Sequence, residues 1–506
     1  MLEQHLAALP VLLPLIAAPI ALVLGRSLFS WMFATAISAL AFLFSWFLLT
    51  TTLADGVISY ALGGWAPPWG IELRVDAANA FVLLAVTALS TLVLLYSKDS
   101  IEKEIESSKH TLYYTAHLLC LAGLSGILLT GDAFNLFVFL EISSLATYTL
   151  VSLASDRRCL TAAFRYLVIG TIGATFILIG VGLLYMKTGT LNMLDLASRL
   201  DVYQSSRTIN TGLAFIMVGV SIKLALFPLH KWLPQAYTRA PSAVTAFLAS
   251  TATKVAVYVM IRFIFTVFGV SYVFEELGMD LILMALAIIA IFQSSYVAIV
   301  QNNVKTVLAY SSVAQIAYMV LGISLVSVTG LMAGLIHVFN HALMKGALFM
   351  AVGAVFYRVG SVDISAFRGL GRQMPLTMAA FTIAGLSIIG VPLTAGFVSK
   401  WYLVVAALEQ NQWVVAALVL GGSLLAVVYI GRILEVAYFQ KPPEPQNGEV
   451  VKEAPWLMLA PMWTLVLANI YFGVDTSLTA TAANSAAEWL FQHSDMATTG
   501  HSEVSQ

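Results

Sequence analysis

The sequence predicts an all-α polytopic membrane protein of about fourteen transmembrane helices, with two inverted five-helix repeats whose seventh and twelfth helices are broken. Three observations predict it. Of the 506 residues, 60% are hydrophobic and 10% are charged, whereas soluble proteins average about 25% charged. The apolar residues come in runs of about twenty, the length a helix needs to cross a bilayer. Two of those runs, in corresponding places, are interrupted by proline and glycine, a pattern that marks internal repeats and a path between them.

The same composition excludes a disordered chain, a coiled coil and a disulfide scaffold. A net charge of -1 offers no basic surface for nucleic acid. Cys120 falls inside an apolar run and Cys159 follows Arg157 and Arg158 in a loop. Both are expected as free thiols with packing roles.

Taken in order, the runs are 9–24, 28–49, 77–97, 111–129, 132–153, 160–186, 208–227, 242–267, 279–300, 306–326, 330–356, 376–405, 412–436 and 456–474. The first lacks the basic flank of a signal peptide and is read as an uncleaved span. Thr130 and Gly131 alone separate the fourth and fifth runs, which forces a tight helical hairpin, and Asp132 is placed to cap the fifth. Pro228 breaks the seventh run, and Pro392, with Gly390 and Gly396, breaks the twelfth. The Pro-rich loop 441–448 is expected to be mobile. The tail after Gly473 is rich in Ala, Ser and Thr, with Trp489, Leu490 and Phe491 together; it reads either as a short interfacial helix or as disordered chain.

Orientation follows Lys and Arg. An even number of spans puts both termini on one side. If that side is outside, the inner loops hold most of the basic residues, Lys305 among them at a helix start, and the outer side holds few, with Arg262 near a helix end. Both termini are therefore expected to be periplasmic or extracellular, in a cell inner membrane.

Once the loops are subtracted, one carboxylate and four lysines remain deep in spans: Glu141, Lys223, Lys254, Lys345 and Lys400. Each costs at least about 2.5–3.5 kcal/mol on insertion scales, so ion or proton handling is the natural reading. Glu141 falls roughly 13 Å into its run, close to the midplane. Lys223 and Lys400 neighbour the two helix breaks. His337, His341 and Lys345 are spaced four apart and share one helix face, a row suited to passing protons through water. Plainer readings stand beside these: a structural Glu141–Lys223 ion pair, a snorkelling Lys345, packing histidines. A metal site on the histidine pair lacks a third ligand. Neither a dinucleotide fingerprint, a Walker motif nor an iron–sulfur cysteine cluster occurs, so no cofactor and no metal is expected.

The stretch Ser221-Ile-Lys-Leu-Ala-Leu-Phe-Pro-Leu-His-Lys-Trp-Leu-Pro-Gln-Ala-Tyr237 is followed by Ala240-Pro-Ser-Ala-Val-Thr-Ala-Phe-Leu-Ala249, Thr253-Lys-Val-Ala256 and Leu308-Ala-Tyr-Ser-Ser312. Together they resemble the antiporter-like subunits of respiratory complex I and of Mrp antiporters. The resemblance covers nearly the whole chain. It implies fourteen helices and the two inverted repeats, and it matches the family's helix-five glutamate to Glu141. The helix-seven and helix-eight lysines match Lys223 and Lys254, the helix-eleven histidines His337 and His341, and the helix-twelve ionisable residue Lys400. One complex I branch carries Glu where Lys400 stands. Within the family, Gly63-Gly-Trp-Ala-Pro-Pro-Trp-Gly-Ile-Glu-Leu-Arg-Val-Asp76 and the Lys400 segment resemble the D-type member of Mrp sodium/proton antiporters.

The resemblance divides the chain into N-terminal helices (1–110), a first repeat (111–267), a second repeat (279–436) and a last helix with a polar tail (437–506). It implies a proton-translocating membrane subunit of a multisubunit Na+/proton antiporter. Protons would move through a midplane chain of Glu, Lys and His. The partners would be the other membrane subunits. Only one membrane carboxylate is available to a hard cation, so the Na+ site would lie mainly on a partner subunit. The alternative is the proton-pumping arm of a complex I-type oxidoreductase or a membrane hydrogenase.

Overall fold

The computed structural model describes residues 5–200, 202, 206–442 and 451–499. Of the loop expected to be mobile, 441–448, all but the first two residues lie outside the described residues. Within the described residues, twenty α-helices run in order: α1 (Leu9–Val23), α2 (Ser27–Asp55), α3 (Ala77–Glu104), α4 (His110–Leu129), α5 (Ala133–Ser152), α6 (Arg158–Thr188), α7 (Met193–Leu200), α8 (Arg207–Leu224), α9 (Trp232–Arg239), α10 (Ser242–Ser250), α11 (Ala252–Ile261), α12 (Met279–Val300), α13 (Val304–Ser324), α14 (Val328–Val359), α15 (Leu370–Gln373), α16 (Pro375–Ile389), α17 (Ala395–Glu409), α18 (Trp413–Phe439), α19 (Trp456–Val474) and α20 (Ser477–Thr499). Among the described residues, eleven helical stretches are long and apolar enough to cross a membrane, and α1 and α16 are shorter apolar helices. The protein is an all-α, multi-pass membrane protein.

The outer helices α2, α6, α12 and α18 leave most of their spanning length unburied, while α14 is buried from Gly330 through Val355. A helix that is apolar all round and buried all round is the centre of its bundle. Around α14 pack α3, α10, α13, α16, α17 and α19. Small residues let some backbones touch. A Cβ on Gly219 would sit 2.5 Å from the Gly173 carbonyl, and one on Gly180 would sit 2.7 Å from the Gly212 carbonyl, so α6 and α8 meet through paired glycines.

The two expected breaks are present, and they share a device. Between α8 and α9 the chain passes through Ala225 in the left-handed region (φ 60) and a cis Phe227–Pro228 bond; between α16 and α17 it passes through Gly390 and then Leu393 (φ 70). A non-glycine residue in that region costs roughly 1–2 kcal/mol, and such strain persists where packing over-determines it.

Two elements depart from the expectations, and the tail takes the helical one of its two readings. The eighth run is two helices, because Thr251 (φ -125, ψ -64) interrupts it without proline or glycine. A β-hairpin, β1 (Ile58–Ala61) paired antiparallel with β2 (Glu72–Val75), precedes α3 with Ile58 opposite Val75. The tail is the helix α20, which packs on α3 and α14 by burying Ala482, Ala483, Ala486, Ala487 and Leu490. The thiols are free and buried: Cys120 Sγ lies 3.4 Å from Thr147 Oγ1, and Cys159 donates to the Ser152 and Ala154 carbonyls. Asp132 caps α5 by accepting from the Asn135 amide at 2.6 Å.

Candidate functional site

The titratable groups predicted inside the membrane sit on α5, α8, α11, α14 and α17. At one end, α5 presents Glu141, Ser144 and Tyr148 on a single face, at i, i+3 and i+7. The Lys223 ammonium, from the last turn of α8, donates to Ser144 Oγ at 2.8 Å and lies 3.5 Å from Tyr148 OH. It makes no ion pair with Glu141. Among the described residues the Glu141 carboxylate has no cation within pairing distance, and its Oε1 is buried without a hydrogen-bond partner. The two charges still act on each other electrostatically. Lys223 thus rests on the Ser144 hydroxyl rather than on Glu141.

Next stands Lys254, 1% exposed. Its Nζ donates to the carbonyl of Ala249 and lies 3.4 Å from Thr253 Oγ1. The interruption at Thr251 explains this bond. An unbroken helix pairs each carbonyl with the amide four residues on; here α10 ends before that amide, and an ammonium takes its place. The break was not legible as a Pro or Gly signal.

The α14 row forms the middle. Lys345 is fully buried and donates to the Leu308 carbonyl at 2.8 Å and to Ser311 Oγ at 2.7 Å, both on α13. His341 stacks on His337 with centroids 5.9 Å apart. His337 Nδ1 and Ser399 Oγ are 2.8 Å apart, while His337 Nε2 and both nitrogens of His341 have no partner among the described residues. Lys254, Lys345 and Lys400 all lie within electrostatic reach of His341. Buried polar atoms without protein partners are the places where ordered water belongs.

At the far end, Lys400 of α17 reaches back across the second break. Its Nζ donates to the carbonyls of Ile388 and Ile389 at 2.8 and 3.1 Å and to Ser423 Oγ at 3.0 Å. It also sits 4.9 Å over the Tyr318 ring. Those carbonyls end α16 and have no intrahelical donor. Thus Lys254 and Lys400 use one chemistry: a buried ammonium solvated by carbonyls that a broken helix releases. Asn340 joins the same break, donating to the Ala395 carbonyl at 2.6 Å.

Sequence reasoning missed two buried ion pairs. Arg262, expected near an outer helix end, is buried and donates to Asp76 at 2.6 Å and to Tyr258 OH at 3.0 Å. Lys305, read as a positive-inside loop residue, is 4% exposed, 3.9 Å from Glu104 Oε2, and donates to the Ala240 carbonyl at 3.0 Å. Glu104 in turn accepts from the amide and hydroxyl of Ser242, the first residue of α10. Both pairs join residues far apart in sequence, so no local signal announces them.

This fold and site define a class: polytopic membrane proteins with broken helices that enclose a set of lysines and histidines. A family model described as NADH:quinone oxidoreductase/Mrp antiporter, TM, matches residues 130–426, and the chain belongs to that family. The N subunit of NADH-quinone oxidoreductase from Desulforudis audaxviator is 43% identical over 491 residues, covering 94% of this chain and 96% of its own length. The D subunit of the Na(+)/H(+) antiporter from Bacillus subtilis is 29% identical, covering 96% and 97%. Among solved structures, a chain of the membrane-bound sulfane sulfur reductase, an archaeal respiratory membrane complex, is 32% identical with a TM-score of 0.88, covering 98% of this chain and 99% of its own. A chain of the Mrp complex from Dietzia sp. shares the fold at a TM-score of 0.90 and 24% identity, with 98% and 99% covered.

Proposed function

We propose that this chain is the proton-translocating, antiporter-like subunit of a multisubunit Na+/proton antiporter in the cell inner membrane. The single observation that supports the reading is the set of intramembrane groups Lys223, Lys254, Lys345, His341, His337 and Lys400, each held by the contacts described above. It is an array of titratable groups, each cradled by hydroxyls, broken-helix carbonyls or unfilled polar positions. Protons enter near Lys223 and Lys254, pass Lys345 and the histidine pair, and leave near Lys400. Glu141 lies beyond hydrogen-bond reach of Lys223 and acts on it through space. The spans 111–267 and 279–436 act as the two repeats, each with its broken helix. Both termini face the periplasm or the exterior. Other membrane subunits complete the assembly, and Na+ binds chiefly on one of them.

The 43% identical relative named as an oxidoreductase component favours a second reading, in which the same module is the pumping arm of a redox-driven complex. One experiment separates the two. The complex is purified through a tag on this chain, its subunits are identified by mass spectrometry, and proton movement is followed in vesicles. Na+-driven proton exchange among redox-inactive partners supports the first reading, and proton uptake that requires electron transfer supports the second. In either assembly Glu141→Ala and Lys223→Ala should abolish proton movement without loss of subunits. Full transport by either assembled variant would sink the proposed path.

A further inference from the structure

A second group of charges lies apart from these groups, and the proton path does not use it. A cavity of about 400 Å³ opens between α6, α9 and the turn from α12 into α13. Arg158, Arg165 and Arg239 line it, together with Gln235 and Tyr310. Among the described residues one carboxylate serves two of these three cations: Asp156 Oδ2, 3.6 Å from Arg158 Nε and 3.7 Å from Arg239 Nη1. Arg165 has no acidic partner there, and its Nη1 donates to the neutral Gln235 Oε1 at 3.0 Å. The cavity is therefore short of negative charge.

Its position narrows what supplies that charge. Arg165 lies inside the candidate span α6, where an arginine is costly unless its head meets water or an anion. Its neighbours Phe164, Leu167 and Val168 are exposed, Phe164 at 66%, and they form an apolar strip running into the span. An anion that is itself tied to hydrocarbon matches a basic cavity joined to an apolar strip. Arginine binds phosphate through paired donors in a fixed fork, and basic pockets between spans suit anionic headgroups.

We propose that this cavity binds the phosphate of an anionic phospholipid, with Arg165 and Arg239 on the phosphate and the acyl chains along Phe164, Leu167 and Val168. The bound lipid braces α6 against α9. These helices are already joined by the Tyr166 ring stacked on Trp232 at 4.1 Å. The α9 helix directly follows the break beyond Lys223, so the lipid steadies the first broken helix.

The full-length chain, purified in detergent and stripped of lipid, is titrated with phosphatidylglycerol, phosphatidylcholine or inorganic phosphate. The readouts are the unfolding midpoint and the lipid retained in native mass spectrometry. Phosphatidylglycerol should be retained and should raise the midpoint, and the other two should do neither at equal concentration. Affinity should fall about fivefold for each arginine removed in R165Q and R239Q. A midpoint raised equally by inorganic phosphate would mark a free-anion site and overturn the lipid. Unchanged retention in the double variant would overturn it too, as would an R165Q chain that keeps its lipid but loses co-purifying membrane subunits. Should the double variant not fold, a photoreactive phosphatidylglycerol on the wild-type chain decides: labels on α6 and α9 support the site, and labels confined elsewhere overturn it.

Discussion

His337 and His341 lie one turn apart on α14, with ring planes 7° from parallel and centroids 5.9 Å apart. They are not equivalent. Ser399 engages His337 Nδ1, whereas neither nitrogen of His341 has a partner among the described residues. His341 is the better placed of the two to exchange a proton with water. His341→Phe preserves ring volume and removes the titrating group. Proton transport by the assembled complex should fall by about a hundredfold or more, the lower range for losing a positioned acid–base group. Transport at the wild-type rate in H341F would take His341 off the path.

Ser144 holds Lys223 away from Glu141. Ser144→Ala removes the 2.8 Å hydrogen bond and leaves the ammonium free to swing along α5 towards the carboxylate. A hydrogen bond to a charged group is worth about 1.5–3 kcal/mol, so a slowing of about tenfold is expected. The pH dependence of transport should also change, because the lysine exchanges a neutral neighbour for a charged one. A pH profile of S144A identical to wild type would show that Ser144 does not position Lys223.

Lys400 has a structural duty beside any proton it carries. Lys400→Met strands the Ile388 and Ile389 carbonyls, at about 1–3 kcal/mol for an unsatisfied buried group. The unfolding midpoint of the purified chain should drop together with transport. A variant with lost transport and an unchanged midpoint would mean that other donors reach those carbonyls.

The second break also depends on close contact. A Cβ on Gly396 would lie 1.8 Å from the Ser387 carbonyl oxygen, and the Gly396 amide donates to Ser387 Oγ at 3.0 Å. Gly396→Ala should lower the yield of folded chain and disturb the Lys400 site. It should be more damaging than Gly182→Ala, where the added methyl meets open space. Equal yields by size-exclusion chromatography would contradict this account.

Arg262→Met should be among the most destabilising single changes, by about 3–5 kcal/mol, because it leaves the Asp76 carboxylate buried and uncompensated. Asp76→Asn added to it should restore much of the loss. A thermal-unfolding cycle across the four proteins measures the coupling, and additive losses would show that the pair is not coupled.

Much of this architecture was legible because the bilayer constrains sequence strongly. Apolar runs mark the helices, and the costs of proline and of buried charge mark the two breaks and the residues Glu141, Lys223, Lys254, Lys345 and Lys400. What escaped has physical reasons. Thr251 interrupts a helix with no residue type that announces a break. The tail read equally as helix or disordered chain, because the alanine face of α20 becomes meaningful only against α3 and α14. Lys305 and Arg262 look like boundary charges along the chain, and their partners Glu104 and Asp76 are brought to them by folding.

By itself, the sequence determined the solvent, the helical class and the short roster of intramembrane ionisable groups, since each follows from transfer energies summed over local windows. Tertiary structure alone decided their partners. It placed Lys223 on Ser144 rather than on Glu141, set Lys254 and Lys400 on carbonyls freed by broken helices, and left His341 without a partner among the described residues. Hydrogen-bond geometry is fixed to fractions of an ångström by packing between distant segments, and no local pattern of residues carries that information.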